Sequence, residues 1–289
     1  MGETRTFFLQ KPAPPSVLKR LRLPAVLLAG YAGAVALLDW LFHDFIKAPL
    51  HVHTFLGAVL GLLLVFRTNT AYDRWWEGRK LWGQLVNDSR NLCLKIRALP
   101  AIPLAEARHL GRLLTSFARA LKEHLREGVR AGQLSLYGGN VRAEPTHVPI
   151  HLASLVRGQI AGWRREGRID GFDDLLLDRH ARSLTEVCGA CERIRKTPIS
   201  PSYRTFLRQC IMLYLVTLPW GLVDELSFWV VPAVTIITYF MLGLELIAED
   251  VEEPFGRGED DLELDEICRG LEASVEEILA GEESQAPDR

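Results

Sequence analysis

Several long stretches of this 289-residue chain lack charge altogether. Pro24 to Leu38, Leu50 to Phe66, Gln209 to Val223 and Ser227 to Leu244 hold no Asp, Glu, Lys or Arg. Four such stretches in one chain exclude an ordinary soluble domain and point to helices that cross a bilayer, which needs about 20 apolar residues per span. Mean hydropathy (+0.07) and net charge (−2) average this unevenness away and say nothing about partners. A cleavage signal is also missing: no small-residue site ends the first apolar run, so no cleaved leader is expected. The chain has only five cysteines, at 93, 188, 191, 210 and 268. None falls in an expected outside loop, which argues against a disulfide framework. Cys188 and Cys191 form a lone C-x-x-C without a second Cys/His pair at zinc spacing, and read as two thiols on a helix. No Ser/His/Asp array, phosphate loop or nucleotide motif is present, and no nucleic-acid partner is expected.

What is present divides the chain. Residues 1–66 comprise an N-terminal segment and two spans. Ser16 to Arg22 is a basic amphipathic stretch suited to a membrane surface, and Pro24 to Phe45 is the first span. His43, Asp44, Lys47 and Pro49 form a turn, and Leu50 to Phe66 is the second span. Gly57-x-x-x-Gly61 gives that span a flat packing face. Residues 67–202 form a helical cytosolic layer. The second helix runs into it without a proline, through RTNTAYDRWWEGRKLWGQL (Arg67 to Leu85), until Pro100 and Pro103 break the chain. Further helices are expected over Leu104–Glu127, Ile150–Glu166 and Phe172–Arg195, with a loop from Gly138 to Pro149. Residues 203–248 hold two more spans, Tyr203–Trp220 and Val223–Ile247, joined by a tight turn at Gly221–Glu225, with Pro232 permitting a kink. Residues 249–289 form an acidic cytosolic segment with a short helix, Asp265–Leu279. Lys11, Lys19, Arg20, Arg22 and the basic middle layer lie on one side, so both termini are expected in the cytoplasm.

Three blocks resemble the bestrophin family, particularly its prokaryotic members: FRTNTAYDRWWEGRKLWGQL (Phe66 to Leu85), CERIRKTPISPSY (Cys191 to Tyr203) and EDVEEPFGRGEDDLELDEIC (Glu249 to Cys268). The resemblance implies an all-α, four-span integral membrane protein with a helical cytosolic layer, assembled as a homopentamer in the bacterial inner membrane among its lipids. It implies a passive channel for small monovalent ions with a hydrophobic neck and a cytosolic vestibule. By position the neck falls on Ala58, Leu62 and Phe66. These stand at i, i+4 and i+8 on one helix face, where apolar rings gate by dewetting. The cytosolic aperture falls on Phe172. The acidic cluster that holds calcium in the family's animal members corresponds to Glu259, Asp260 and Asp261. Arg257 and the short acidic run depart from that pattern, so a solvated loop is expected here and no cofactor.

The sign of the permeant ion divides two readings. Asp170, Asp173 and Asp174 beside the aperture lean slightly towards cations such as Na⁺, whereas chloride conduction is the family's better-known property. Arg67 either repels cations below Phe66 or pairs with Asp73 or Glu77. Two other classes compete with a channel. One is a membrane scaffold whose apolar stripe only packs. The other is a metal-dependent membrane enzyme using His43, Asp44, His51 and His53, which read more simply as interfacial residues.

Overall fold

The computed structural model describes residues 15–42, 49–126 and 145–280. Among these, the regular structure is helical: α1 (Pro15–Phe42), α2 (Leu50–Arg97), α3 (Leu104–Arg126), α4 (Val148–Arg165), α5 (Gly171–Lys196), α6 (Pro201–Leu226), α7 (Val230–Glu252) and α8 (Leu264–Ala280). A 3-10 turn, Ser227–Trp229, separates α6 from α7. The chain falls into two compact units, Met1–Asp73 with Pro198–Glu253, and Arg74–Thr197 with Pro254–Arg289.

The helix α2 supplies chain to both units. No proline interrupts its 48 residues, which span about 72 Å at 1.5 Å per residue. The Thr68 and Thr70 hydroxyls donate back to the carbonyls of Leu64 and Phe66 (2.9 Å each), so the change from apolar to polar sequence leaves both satisfied within the helix. The helix stops where Pro100 approaches, because a residue before proline is pushed out of the helical region. Lys95 and Arg97 then sit at its negative end.

The first unit packs Leu28, Ala32 and Val35 of α1 with Leu60 and Leu64 of α2, Ile211 and Leu215 of α6, and Val234 of α7. It is apolar outside as well: Leu27, Leu62, Phe66, Leu213 and Phe240 are exposed. A helix unit that is apolar all round is not built for water. Among the described residues, three stretches are long and apolar enough to cross a membrane: Val17–Phe42, Leu50–Arg97 and Pro201–Glu252. The Gly57 backbone lies so close to Tyr214 that an added Cβ would stand 2.8 Å from the phenol oxygen, whereas Gly61 faces open space. Only the first glycine of the G-x-x-x-G pair therefore works as a packing face within this chain.

Several boundaries differ from expectation. α1 runs through Pro24 without a break. Pro219 lies inside α6, which continues to Leu226, so the break between α6 and α7 falls at Ser227 (φ 49°) and not at Gly221–Glu225. Gly221 lies within α6, and its missing side chain makes room for the ring of His53: a Cβ there would stand 2.8 Å from Nδ1. Pro232 sits in the first turn of α7, where its missing N–H has no helical partner to lose, and it need not kink the helix.

The second unit packs Trp82 and Leu85 of α2 with Leu110, Leu114 and Phe117 of α3, Val156 and Ile160 of α4, Leu184 and Val187 of α5, and Leu271 and Val275 of α8. α3, α5 and α8 occur within a residue of their expected limits. α4 starts at Val148 rather than Ile150, because His147 caps it and Pro149 suits its first turn. Most of the expected Gly138–Pro149 loop lies outside the described residues. Gly111 of α3 lets α8 approach: a Cβ there would stand 2.5 Å from Leu279 Cδ1 and 2.8 Å from Val275 Cγ1. Gly111→Val is expected to destabilise this unit by about 1–3 kcal/mol through overpacking. An unchanged thermal midpoint would show that α8 does not rest on that position.

Candidate functional site

The proposed neck residues sit on the first-unit half of α2. Ala58, Leu62 and Phe66 are all exposed in the isolated chain, Leu62 and Phe66 at 56% each. Leu60 and Leu64 point the other way and are buried. The i, i+4, i+8 stripe is thus an exposed apolar face and not the face that packs within the chain.

One residue beyond Phe66 the character reverses. Arg67 is only 1% exposed and turns onto α7, where its Nη2 donates to Glu252 (2.7 Å) and its Nε lies 3.7 Å from Glu245. Glu252 also accepts the amide of Ile199 (2.8 Å) and faces Arg204 (3.8 Å). Arg208 bridges Glu245 (3.1 Å) and Glu249 (2.7 Å), and Arg20 pairs with Glu249 and Asp250. The expected alternatives for Arg67, repulsion of cations or pairing with Asp73 or Glu77, are replaced by this buried network. Glu77 instead faces Arg193 (3.6 Å). The signal was available in the sequence: Glu245, Glu249 and Glu252 recur at i, i+4 and i+7 at the end of an apolar helix.

Phe172 stands in the first turn of α5 and is 79% exposed. The carboxylates beside it have structural partners. Asp170 caps the helix by accepting the amides of Phe172 and Asp173 (2.8 Å each), Asp173 accepts the Asp170 amide in return (3.2 Å), and Asp174 pairs with Arg157 (2.7 Å).

Glu259 is exposed, and Asp260 and Asp261 are half-buried. The Asp261 carboxylate accepts the amide of Gly258 in its own loop, and the Asp260 carbonyl accepts the indole N–H of Trp75 (3.0 Å). His53 is buried, with Nε2 3.1 Å from Thr217 Oγ1. His51 is exposed, while His43 and Asp44 lie outside the described residues. Cys188 and Cys191 are free and fully buried. Burial pushes the Cys188 thiol up to about 12 and the Cys191 thiol higher, so neither is a ready nucleophile.

Sequence reading missed one cluster in the second unit. His124 at the end of α3 and His147 at the cap of α4 both direct Nε2 at Glu192 Oε1 on α5, at 2.8 and 2.6 Å. Lys196 holds Oε2 (2.9 Å). Burial pushes the Glu192 carboxyl up, but the bonds from Lys196, His147 and His124 outweigh it and hold it at about 2. Burial lowers His124, against the raising effect of Glu192.

Carboxylates elsewhere in this unit tie its stability to pH. Hydrogen bonds from Lys122 (2.6 Å) and Arg126 (2.9 Å) hold Asp265 at about 2, below its ordinary 3.8. Arg168 and Trp163 likewise lower Glu106. Folded values below unfolded ones mean that the stabilisation is complete above the unfolded value and is lost as pH falls towards the folded one. The thermal midpoint is expected to fall as pH drops from about 3.8 to about 2, and less steeply in Asp265→Asn. Identical pH profiles for the two proteins would remove Asp265 from the account.

The structure defines a class: a helical protein that has, among the described residues, three stretches long and apolar enough to cross a bilayer, and a second, well-packed helical unit. The chain belongs to the bestrophin family: the model of the bacterial and fungal bestrophin proteins matches residues 4–277. A voltage-dependent anion channel-forming protein of Synechocystis is 34% identical over 272 residues, covering 91% of this chain and 88% of that protein. One of Escherichia coli strain K12 is 32% identical over 258 residues, covering 88% and 84%. Among solved structures, a bacterial bestrophin homologue from Klebsiella pneumoniae is 25% identical with a TM-score of 0.82, covering 91% of this chain and 98% of that one. A mutant of a Klebsiella pneumoniae bestrophin homologue gives 0.86 at 24% identity, covering 92% and 99%.

Proposed function

We propose that this chain is one subunit of a homopentameric, passive ion channel in a bacterial inner membrane, and not an enzyme. The observation that carries the proposal is the exposed apolar face of Ala58, Leu62 and Phe66 on α2, in a family whose curated relatives are named as channel-forming. Five such faces around an axis make apolar rings that ions cross only when the rings are wetted. Phe172, exposed and in no core of its own, forms the cytosolic aperture. Four segments cross the membrane: α1, the first half of α2, α6 and α7, with both termini in the cytoplasm. The channel conducts without bound calcium, because the Asp261 carboxylate is turned onto its own loop and Arg257 adjoins the cluster.

The first reading of selectivity is anionic. The lean towards cations rested on Asp170, Asp173 and Asp174, and all three are matched by helix amides or Arg157. The channel-forming relatives above are named for anions. A cationic second reading keeps one support, the acidic residues clustered next to Phe172. Purified protein in liposomes under asymmetric NaCl tests both levels. Flux down the gradient without ATP is expected, with a reversal potential near the chloride equilibrium value. A value near the sodium equilibrium selects the second reading, and no flux from folded pentamers overturns the channel.

A further inference from the structure

The geometry points to a divalent transition-metal site at His124, His147 and Glu192, with zinc as the best-matched ion. One ligand atom from each residue lies within 4.8 Å of the others, and both imidazole Nε2 atoms face Glu192 Oε1. The three come from three elements: the last turn of α3, the residue capping α4, and the C-terminal part of α5. All three side chains are partly exposed, at 24%, 35% and 18%, so an ion can reach them.

The donor set selects the ion. Two imidazoles and one carboxylate make a three-ligand zinc set that leaves a fourth position for water. Calcium and magnesium require more oxygen donors than this cluster has. Lys196 on Oε2 leaves Oε1 as the single coordinating oxygen, so Glu192 binds through one atom. Loading replaces the two imidazole N–H bonds to Oε1 by bonds to the metal. Each ring then carries its hydrogen on Nδ1. For His147 this gives up the 3.3 Å bond in which Nδ1 accepts the Ile150 amide, so the cap of α4 is exchanged for coordination.

His124 and His147 stand 23 positions apart in sequence. A metal held by both, and by Glu192, cross-links the ends of α3 and α4 to α5. It therefore stabilises the folded second unit by mass action. This site is independent of the ion pathway proposed above and stands or falls without it.

The test is zinc titration of the full-length, chelator-treated protein in detergent, by calorimetry and by thermal midpoint. One zinc per protomer is expected, with a raised midpoint, and excess calcium should not compete. His124→Gln and His147→Gln should each weaken zinc binding by at least about tenfold, while leaving the zinc-free midpoint within a few degrees. Cobalt gives a second readout that does not depend on the variants. Its visible absorption in the wild type should report tetrahedral nitrogen and oxygen coordination, without thiolate charge transfer. Zinc bound equally by wild type and both variants overturns the site. So does binding lost in Cys188→Ser but kept in the histidine variants, which would assign the ion to the thiols.

Discussion

Arg67→Met is expected to lower the stability of the first unit by about 3 kcal/mol, the lower end of the cost of breaking a buried ion pair. The reason is what the substitution leaves behind. Arg67 is buried and its Nη2 stands 2.7 Å from Glu252, itself only 1% exposed. Removing the guanidinium strands that carboxylate and loosens Glu245, which keeps Arg208 at 3.1 Å. The loss is held to the lower end because Glu252 retains the Ile199 amide at 2.8 Å and Arg204 at 3.8 Å. For a unit of this size the thermal midpoint in detergent should drop by roughly 10 °C. The double replacement Arg67→Met with Glu252→Gln should recover most of it, since it removes both charges together. A midpoint within about 1 °C of wild type for the single variant would mean that Arg67 is solvated and free to face an ion. A large loss places its charge off the pathway and leaves the neck below Phe66 electrically quiet.

The sequence made the helices legible and the partners illegible, for a physical reason. The α3, α5 and α8 limits follow from apolar periodicity and caps, which are local. Asp170 at the start of α5 is a cap by residue type alone. The free face of α2 is also local, because residues four apart on one helix share a side whatever they meet. What Arg67 pairs with is not local. Asp73 and Glu77 were nearer in sequence, but Glu252, 185 residues away, is nearer in space. The histidine cluster shows the same limit: 124, 147 and 192 have no motif spacing, and only the packing of α3, α4 and α5 brings them to one oxygen. The α6–α7 break was misplaced because Gly221 looks like punctuation, when it is a space for His53.

Leu62→Ala and Phe66→Ala are each expected to raise resting conductance by about tenfold, the effect of lowering an apolar barrier by roughly 1.4 kcal/mol. Exposure alone does not assign these side chains, since a free apolar face on α2 could meet lipid, another subunit or the pathway. The helix supplies its own control. At about 100° per residue, Leu56 points roughly 120° away from Leu62 around the axis, and it too is exposed, at 42%. If the neck is where the Ala58/Leu62/Phe66 face lies, Leu56→Ala should leave the current unchanged while the other two raise it. A rise in all three would mean that loosened packing opens the channel, not a wider ring. Unchanged current in both Leu62→Ala and Phe66→Ala would move the barrier off α2. Phe172→Ala, on an element of the second unit, would then be the variant that opens it. Reversal potentials in the widened variants carry one further consequence. A neck that only sets wetting should lose resistance and keep its ion preference, because none of its three residues bears a charge. Selectivity would then have to be sought among the charged residues beyond the rings.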